Sequence, residues 1–496
     1  MDEPYNDDSH DSLIELNLAS VKKRAVSGVA ILTGRGFLIN GISQTAQILL
    51  LAFLEPYELG TFWIVSAAVS FFMYFSDIGL AAALVQKKEK LTRGEMVTTF
   101  TVQQGLVLIL VLALLVLSPQ LTQIYQLSTD AVVLLFALGG SLFLSSLKSI
   151  PSVLLERKLE FGKFVLPEIL ENLVYNVIVV FLAWKGMGIA SFTYAVLARG
   201  LVGVVVIYLI RPWRPGLGIS RVALRGLLRF GVPYQANTLI SVLKDQGVTL
   251  LLGGVLGQAA IGYLGSAMRL SQIPLRLIMD NVTKVSFPAF SRMQEDRREL
   301  GRSVTLSIQF ITSLVYPMLF GFLALVPTLM IVFPKYQKWE SAILALFIVS
   351  VNTVFAAFAT QLTNLFMAVG KVSLTIRFTI LYTLLTLLLV PMLAVFWGFN
   401  GAAVGYALVG VASGLTVVVV KRIISFSTME AVVKPLIAAS VMYVSLNLLT
   451  QFVIVAHIFA VFGLVLLGGG IYALVLYGLV GRQIITYAQK IIRSAI

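Results

Sequence analysis

Cysteine is absent from the 496 residues, and histidine occurs only twice, at His10 and His457. The first absence excludes disulfides and thiolate metal sites, and the second excludes a histidine-based metal centre. Charge is also scarce, at 12% of residues, whereas 58% are hydrophobic and the mean hydropathy is +0.93. Soluble domains are about 45–50% apolar and about 25% charged. A soluble core cannot hide this much apolar surface, so lipid is the solvent for most of the chain. The first twenty residues hold Asp2, Glu3, Asp7, Asp8, Asp11 and Glu15 and lack a basic leader pattern. They are expected to be an acidic cytoplasmic tail (1–24) and not a cleaved signal peptide.

The net charge of +14 suggests nucleic acid until its placement is considered. The basic residues form short clusters between apolar runs, which is the pattern of membrane topology. No nucleic-acid partner is expected. A bilayer core of about 30 Å needs about 20 apolar residues per helix. The expected architecture is all-α and polytopic, with about fourteen spans: 27–54, 60–84, 96–117, 131–154, 164–184, 189–210, 232–256, 261–284, 304–333, 341–366, 373–397, 401–420, 434–455 and 458–480. With a cytoplasmic N-terminus, most of the 37 basic residues fall in inside segments and only Lys185, Lys335 and Lys338 fall outside. That bias puts both termini in the cytoplasm, with a basic tail at 481–496. Every outside loop is too short to fold as a catalytic domain, so the chain is not expected to be an enzyme and no cofactor is implied.

The longest inside connection, 211–231, sets Val222, Leu224, Leu227, Leu228 and Phe230 against Arg221, Arg225 and Arg229. It reads as an amphipathic linker along the membrane surface, hinging two halves. An internal repeat agrees: Gln44, Leu54, Leu59 and Gly60 recur as Gln246, Leu256, Ile261 and Gly262 at a constant offset of 202 residues. The expectation is an N-lobe (25–210) and a C-lobe (232–420), six helices each in parallel pseudo-repeat, followed by a helix pair (421–480).

Charges inside the spans mark function, because a mid-span Arg or Lys costs about 2.5–3.5 kcal/mol on insertion scales. The bases there are Arg35, Lys148, Arg199, Lys244, Arg269, Arg276 and Lys284, and the acids are Asp77, Glu168, Glu171, Asp245 and Asp280. On the eighth span Arg269, Arg276, Asp280 and Lys284 share one face. They either neutralise one another as i,i+4 pairs or line a polar cavity. The basic surplus favours an anionic ligand, held by Arg35, Lys148, Arg199, Lys244, Arg269 and Arg276. Asp77, Glu168 and Glu171 are candidates for ion coupling, and the last two are close enough to share a proton. Asn40, Gln44 and Gln47 on the first span, and Asn172 and Asn176 on the fifth, either line the cavity or tie helices together.

Several stretches carry a family likeness. They are Leu54-Glu55-Pro56-Tyr57-Glu58-Leu59-Gly60, Phe75-Ser76-Asp77-Ile78-Gly79-Leu80 and Leu155-Glu156-Arg157-Lys158-Leu159-Glu160-Phe161. Phe287-Pro288-Ala289-Phe290-Ser291-Arg292 and Gly398-Phe399-Asn400-Gly401-Ala402-Ala403 complete the set. In order and spacing over about 25–480 the chain resembles the polysaccharide-exporter branch, the Wzx-type flippases, of the multidrug/oligosaccharidyl-lipid/polysaccharide (MOP) flippase superfamily. The resemblance implies a two-lobe bundle with a cationic cavity in the bacterial inner membrane. It also implies a polyprenyl-pyrophosphate-linked glycan as substrate, membrane lipid around it, and a polysaccharide polymerase as a candidate partner. Lipid II flippases and multidrug antiporters are the competing readings.

Overall fold

A computed structural model describes residues 18–87, 89–452 and 457–481. The expected tails therefore lie mostly outside the described residues. Among those residues the chain is helical throughout and forms no strand. Ten segments are long and apolar enough to cross a membrane, and no more than 50% of any of their most apolar windows is buried. Leu209, Leu466 and Phe459 are among the apolar side chains left on the outside. Such a surface is stable only against lipid, and the chain is a multi-pass membrane protein.

The helices gather into two compact units, one ending at Gly262 and one beginning at Tyr263. The first unit holds α1 (Leu18–Phe53), α2 (Pro56–Met73), α3 (Leu80–Gln86), α4 (Arg93–Tyr125), α5 (Thr129–Leu147), α6 (Ser149–Arg157), α7 (Phe161–Trp184), α8 (Ala190–Ile210) and α9 (Arg221–Leu256). Local chemistry sets many of these ends. Thr92 accepts from the Glu95 amide while Glu95 reaches back to the Thr92 amide, a reciprocal cap that starts α4. Ser128 and Ser220 start α5 and α9 in the simpler way.

Two expected spans are broken. The 60–84 stretch is divided between α2 and α3, and the 131–154 stretch stops at Lys148 before α6 resumes. Asp77 causes the restart at α3, because its Oδ1 accepts from the Leu80 amide at 2.8 Å. Gly79 has φ +71, and a methyl there would overlap the backbone of Gly231 on α9. Only glycine fits both demands. The 211–231 connection also differs from expectation. Residues 212–220 carry no helix, and α9 then runs unbroken from Arg221, so the amphipathic stretch from 221 on is the first part of α9. Trp213 is buried edge-on to Phe100, with ring centroids 5.1 Å apart, and the Ser220 amide donates to Thr98 Oγ1 at 2.9 Å. α9 contacts α2, α3 and α4, which places it with the first six spans.

The second unit contains most of α10 (Gln258–Arg292), then α11 (Arg297–Val332), α12 (Ala342–Ala368), α13 (Val372–Ser413), α14 (Leu415–Lys421), α15 (Lys434–Phe452) and α16 (Ile458–Val480). Its core is built around α11, where Ile308, Ile311, Val315 and Tyr316 are fully enclosed. The apolar segment Val372–Lys421 is too long for one crossing, since about 1.5 Å of rise per residue overshoots the bilayer. Gly398, at φ +60, turns it back, and Gly405 abuts the Val390 backbone. The result is a hairpin of two spans, as the 373–397 and 401–420 reading expects.

Candidate functional site

A cavity of about 1060 Å³ lies inside the first unit, walled by residues of α1, α2, α3, α5, α6, α7 and α8. Its wall includes the α5–α6 break at Lys148 and the ends of α2 and α3 at Met73 and Ala81. Ending α5 at Leu147 leaves Lys148 between two helices, with its side chain turned to the cavity.

The charged residues of the wall are Arg35, Lys148, Arg199, Glu156, Glu168 and Glu171. Glu171, on α7, is 6% exposed and is held by two bases. Lys148 Nζ lies 2.5 Å from its Oε1 and Arg199 Nε lies 3.6 Å from its Oε2. One turn earlier Glu168 Oε2 is 2.6 Å from Arg35 Nε, without the alignment of a hydrogen bond. Arg199 also sits over the Tyr175 ring, 5.9 Å from its centroid. Asn172 accepts from and donates to Ser43, tying α7 to α1, and Asn176 donates to the Asn172 carbonyl at 2.7 Å. Burial pushes the Glu156 carboxyl, at the end of α6, above its ordinary range.

Of the residues picked from the sequence, the structure thus brings together Arg35, Lys148, Arg199, Glu168 and Glu171. Glu168 and Glu171 each face a base, so their geometry is that of ion pairs and not of a shared proton. Lys244 lies elsewhere, 3.4 Å from Asp245. Asp77 is engaged in capping α3. Arg269 and Arg276 are exposed on the part of α10 in the second unit, and Arg276 Nη2 donates to Gln272 Oε1 at 3.0 Å. Among the described residues neither Arg276–Asp280 nor Asp280–Lys284 forms an ion pair.

Sequence reasoning missed Arg157. It is 4% exposed and donates to the carbonyls of Leu84 at 2.7 Å, Lys87 at 2.5 Å and Glu89 at 2.9 Å. These are carbonyls at and beyond the end of α3 with no helical partner, so Arg157 holds α3 in place beside α6. The Leu155–Phe161 motif flagged the place but not the clamp.

A bundle of apolar helices enclosing a large charged cavity is the construction of a membrane transporter. The chain belongs to the family described as "Polysaccharide biosynthesis protein", which matches residues 49–344. It is 23% identical over 425 residues, 85% of this chain and 83% of the relative, to "Lipopolysaccharide biosynthesis protein WzxC" of Escherichia coli (strain K12). It is 26% identical over 319 residues, 62% of this chain and 63% of the relative, to "Succinoglycan biosynthesis transport protein ExoT" of Rhizobium meliloti (strain 1021). Among solved structures it resembles "Lipid II flippase MurJ, inward closed conformation", with a TM-score of 0.72, 14% identity, and coverage of 92% of this chain and 99% of that one. A multidrug resistance MATE family transporter in an inward-facing conformation gives 0.58 at 16% identity, over 83% of this chain and 96% of that one. The fold is that of the MOP superfamily.

Proposed function

We propose that this protein is a flippase that carries an undecaprenyl-pyrophosphate-linked oligosaccharide repeat unit across the bacterial inner membrane, by alternating access, for polysaccharide assembly. Family membership supports the class, and the cavity chemistry supports the headgroup. The single observation that carries the reading is the meeting of Arg35, Lys148 and Arg199 on one cavity wall inside a bilayer-spanning bundle. Bases at membrane depth face the bundle interior or a watery cavity and mark a substrate path. Arginine adds a planar fork that matches phosphate oxygens. The sugar part meets Asn172, Tyr175 and the serines of α2, α5 and α6. Lys244, Arg269 and Arg276 are further candidate substrate-binding bases outside this cavity, and Glu168 and Glu171 are the acids through which an ion is exchanged. Both termini lie in the cytoplasm, following the basic-residue bias, and a polysaccharide polymerase takes the glycan on the far side.

A lipid II-type flippase is the second reading, favoured by the fold likeness at a TM-score of 0.72. The two share a pyrophosphate lipid and differ in the sugar. A drug antiporter is disfavoured by membership of the polysaccharide biosynthesis family. The test is reconstitution: the purified protein in liposomes should move a pyrophosphate-linked oligosaccharide from one leaflet to the other. Movement of lipid II alone would select the second reading, and movement of neither would remove both.

A further inference from the structure

Lining residues bring three bases and three acids to the cavity, so the wall of the empty carrier carries its own counter-charge. Glu171 is the most committed of the acids. Its side chain is 8% exposed, and its two oxygens face different bases, Lys148 and Arg199. A carboxylate that engages two bases with separate oxygens occupies the place that two phosphate oxygens need. Gly203 leaves room for this pair, since a methyl group there would overlap the Glu171 carboxylate and crowd Lys148 Nζ.

We infer that Glu171 is an internal stand-in for the phosphate. In the empty carrier it holds Lys148 and Arg199, and the arriving headgroup displaces it from one or both. The inference rests on the headgroup reading above and adds the reason why binding stays reversible. A bare pair of bases on this wall would hold a pyrophosphate tightly, and its departure would leave both without a counter-charge, which is costly above all for the enclosed Lys148. With Glu171 waiting, the departing headgroup is replaced at once, so release proceeds without that cost. The two bases differ in how they yield. Arg199 is the loose partner, 3.6 Å away with a side chain 52% exposed, and exchanges first. Lys148, with a side chain 16% exposed, follows. Arg35 and Glu168 repeat the arrangement one turn along α7, at 2.6 Å and more openly.

The experiment is calorimetric titration of the full-length protein in detergent with inorganic pyrophosphate. Wild type, Glu171→Gln, Glu171→Asp and Lys148→Met are compared, with flipping measured on the same preparations. Glu171→Gln should bind pyrophosphate at least tenfold more tightly and flip more slowly at saturating substrate, because release is retarded. Glu171→Asp keeps the charge but withdraws it by one methylene, and should show a smaller gain; it decides the question should the Gln variant not fold. Lys148→Met should bind more weakly. If Glu171 only neutralises Lys148 for folding, folded Gln or Asp variants bind pyrophosphate no better than wild type. That result overturns the inference while leaving the headgroup reading standing, provided wild type binds and Lys148→Met does not. Pyrophosphate binding by none of the four proteins overturns both.

Discussion

Gly60 and Gly262, two members of the 202-residue repeat, pack reciprocally. A methyl on Gly60 would overlap the carbonyl of Gln258, and a methyl on Gly262 would overlap the carbonyl of Pro56. Each glycine therefore meets the residue one turn before the other, the relation that a two-fold operation produces. Backbone-to-backbone approach of this kind needs small residues inside membranes. Gly60→Ala and Gly262→Ala should each destabilise the protein by about 1–3 kcal/mol, the usual range for overpacking. The double variant should cost less than the sum, because both changes open one contact. Thermal unfolding in detergent checks this, and full additivity would contradict it.

Arg157 offers a second test. Its guanidinium serves the carbonyls of Leu84, Lys87 and Glu89 at and beyond the end of α3. Arg157→Ala should lower stability by about 3 kcal/mol, since a hydrogen bond from a charged donor is worth about 1.5–3 kcal/mol and the Leu84 carbonyl, whose bond is buried, is left unsatisfied. Arg157→Lys should recover only part, because an ammonium lacks the planar fork. Unfolding midpoints of the three proteins decide it. Export should fall only as far as folded protein does.

Asp77 separates capping from coupling. Asparagine keeps an oxygen for the Leu80 amide, so Asp77→Asn should fold and transport as wild type. Asp77→Ala should lose about 1 kcal/mol, the ordinary worth of a cap. A folded Asp77→Asn protein that no longer transports would restore the charge itself to the mechanism.

Topology is open to a direct check. The chain has no native cysteine, so single introduced cysteines report without background. A cysteine at Gln126, in the turn between α4 and α5, should react with an impermeant reagent from outside, and one at Arg93 should react only after the membrane is opened. The reverse pattern would invert the orientation drawn from Lys and Arg.

Most of the helices were legible because a bilayer permits few alternatives: an apolar run of about 20 residues between basic clusters can only cross. The breaks were less legible. Nothing in the apolarity of 60–84 distinguishes a continuous helix from one interrupted at Asp77 and Gly79, since the interruption depends on Gly231, far away in sequence. The join at 211–231 is also not legible, since its amphipathic pattern does not show that 212–220 packs on α4 through Trp213 and Phe100 while the rest continues into α9. At the site, span depth was enough to pick Arg35, Lys148, Arg199, Glu168 and Glu171. Their pairing was not readable, because Lys148 reaches Glu171 only where the α5–α6 break turns it inward. The eighth-span face is a converse case. Its regular spacing promised one charged cluster, and the structure leaves Arg276 bonded to Gln272.

The measurement that bears most directly on the account is the initial rate at which purified protein in liposomes flips a pyrophosphate-linked oligosaccharide, with Lys148→Met and Arg199→Ala beside wild type. Both variants remove a base that faces Glu171 on the cavity wall. Each should slow flipping at least tenfold while unfolding at nearly the wild-type temperature. Wild-type flipping by both folded variants would contradict the claim that this cavity holds the headgroup.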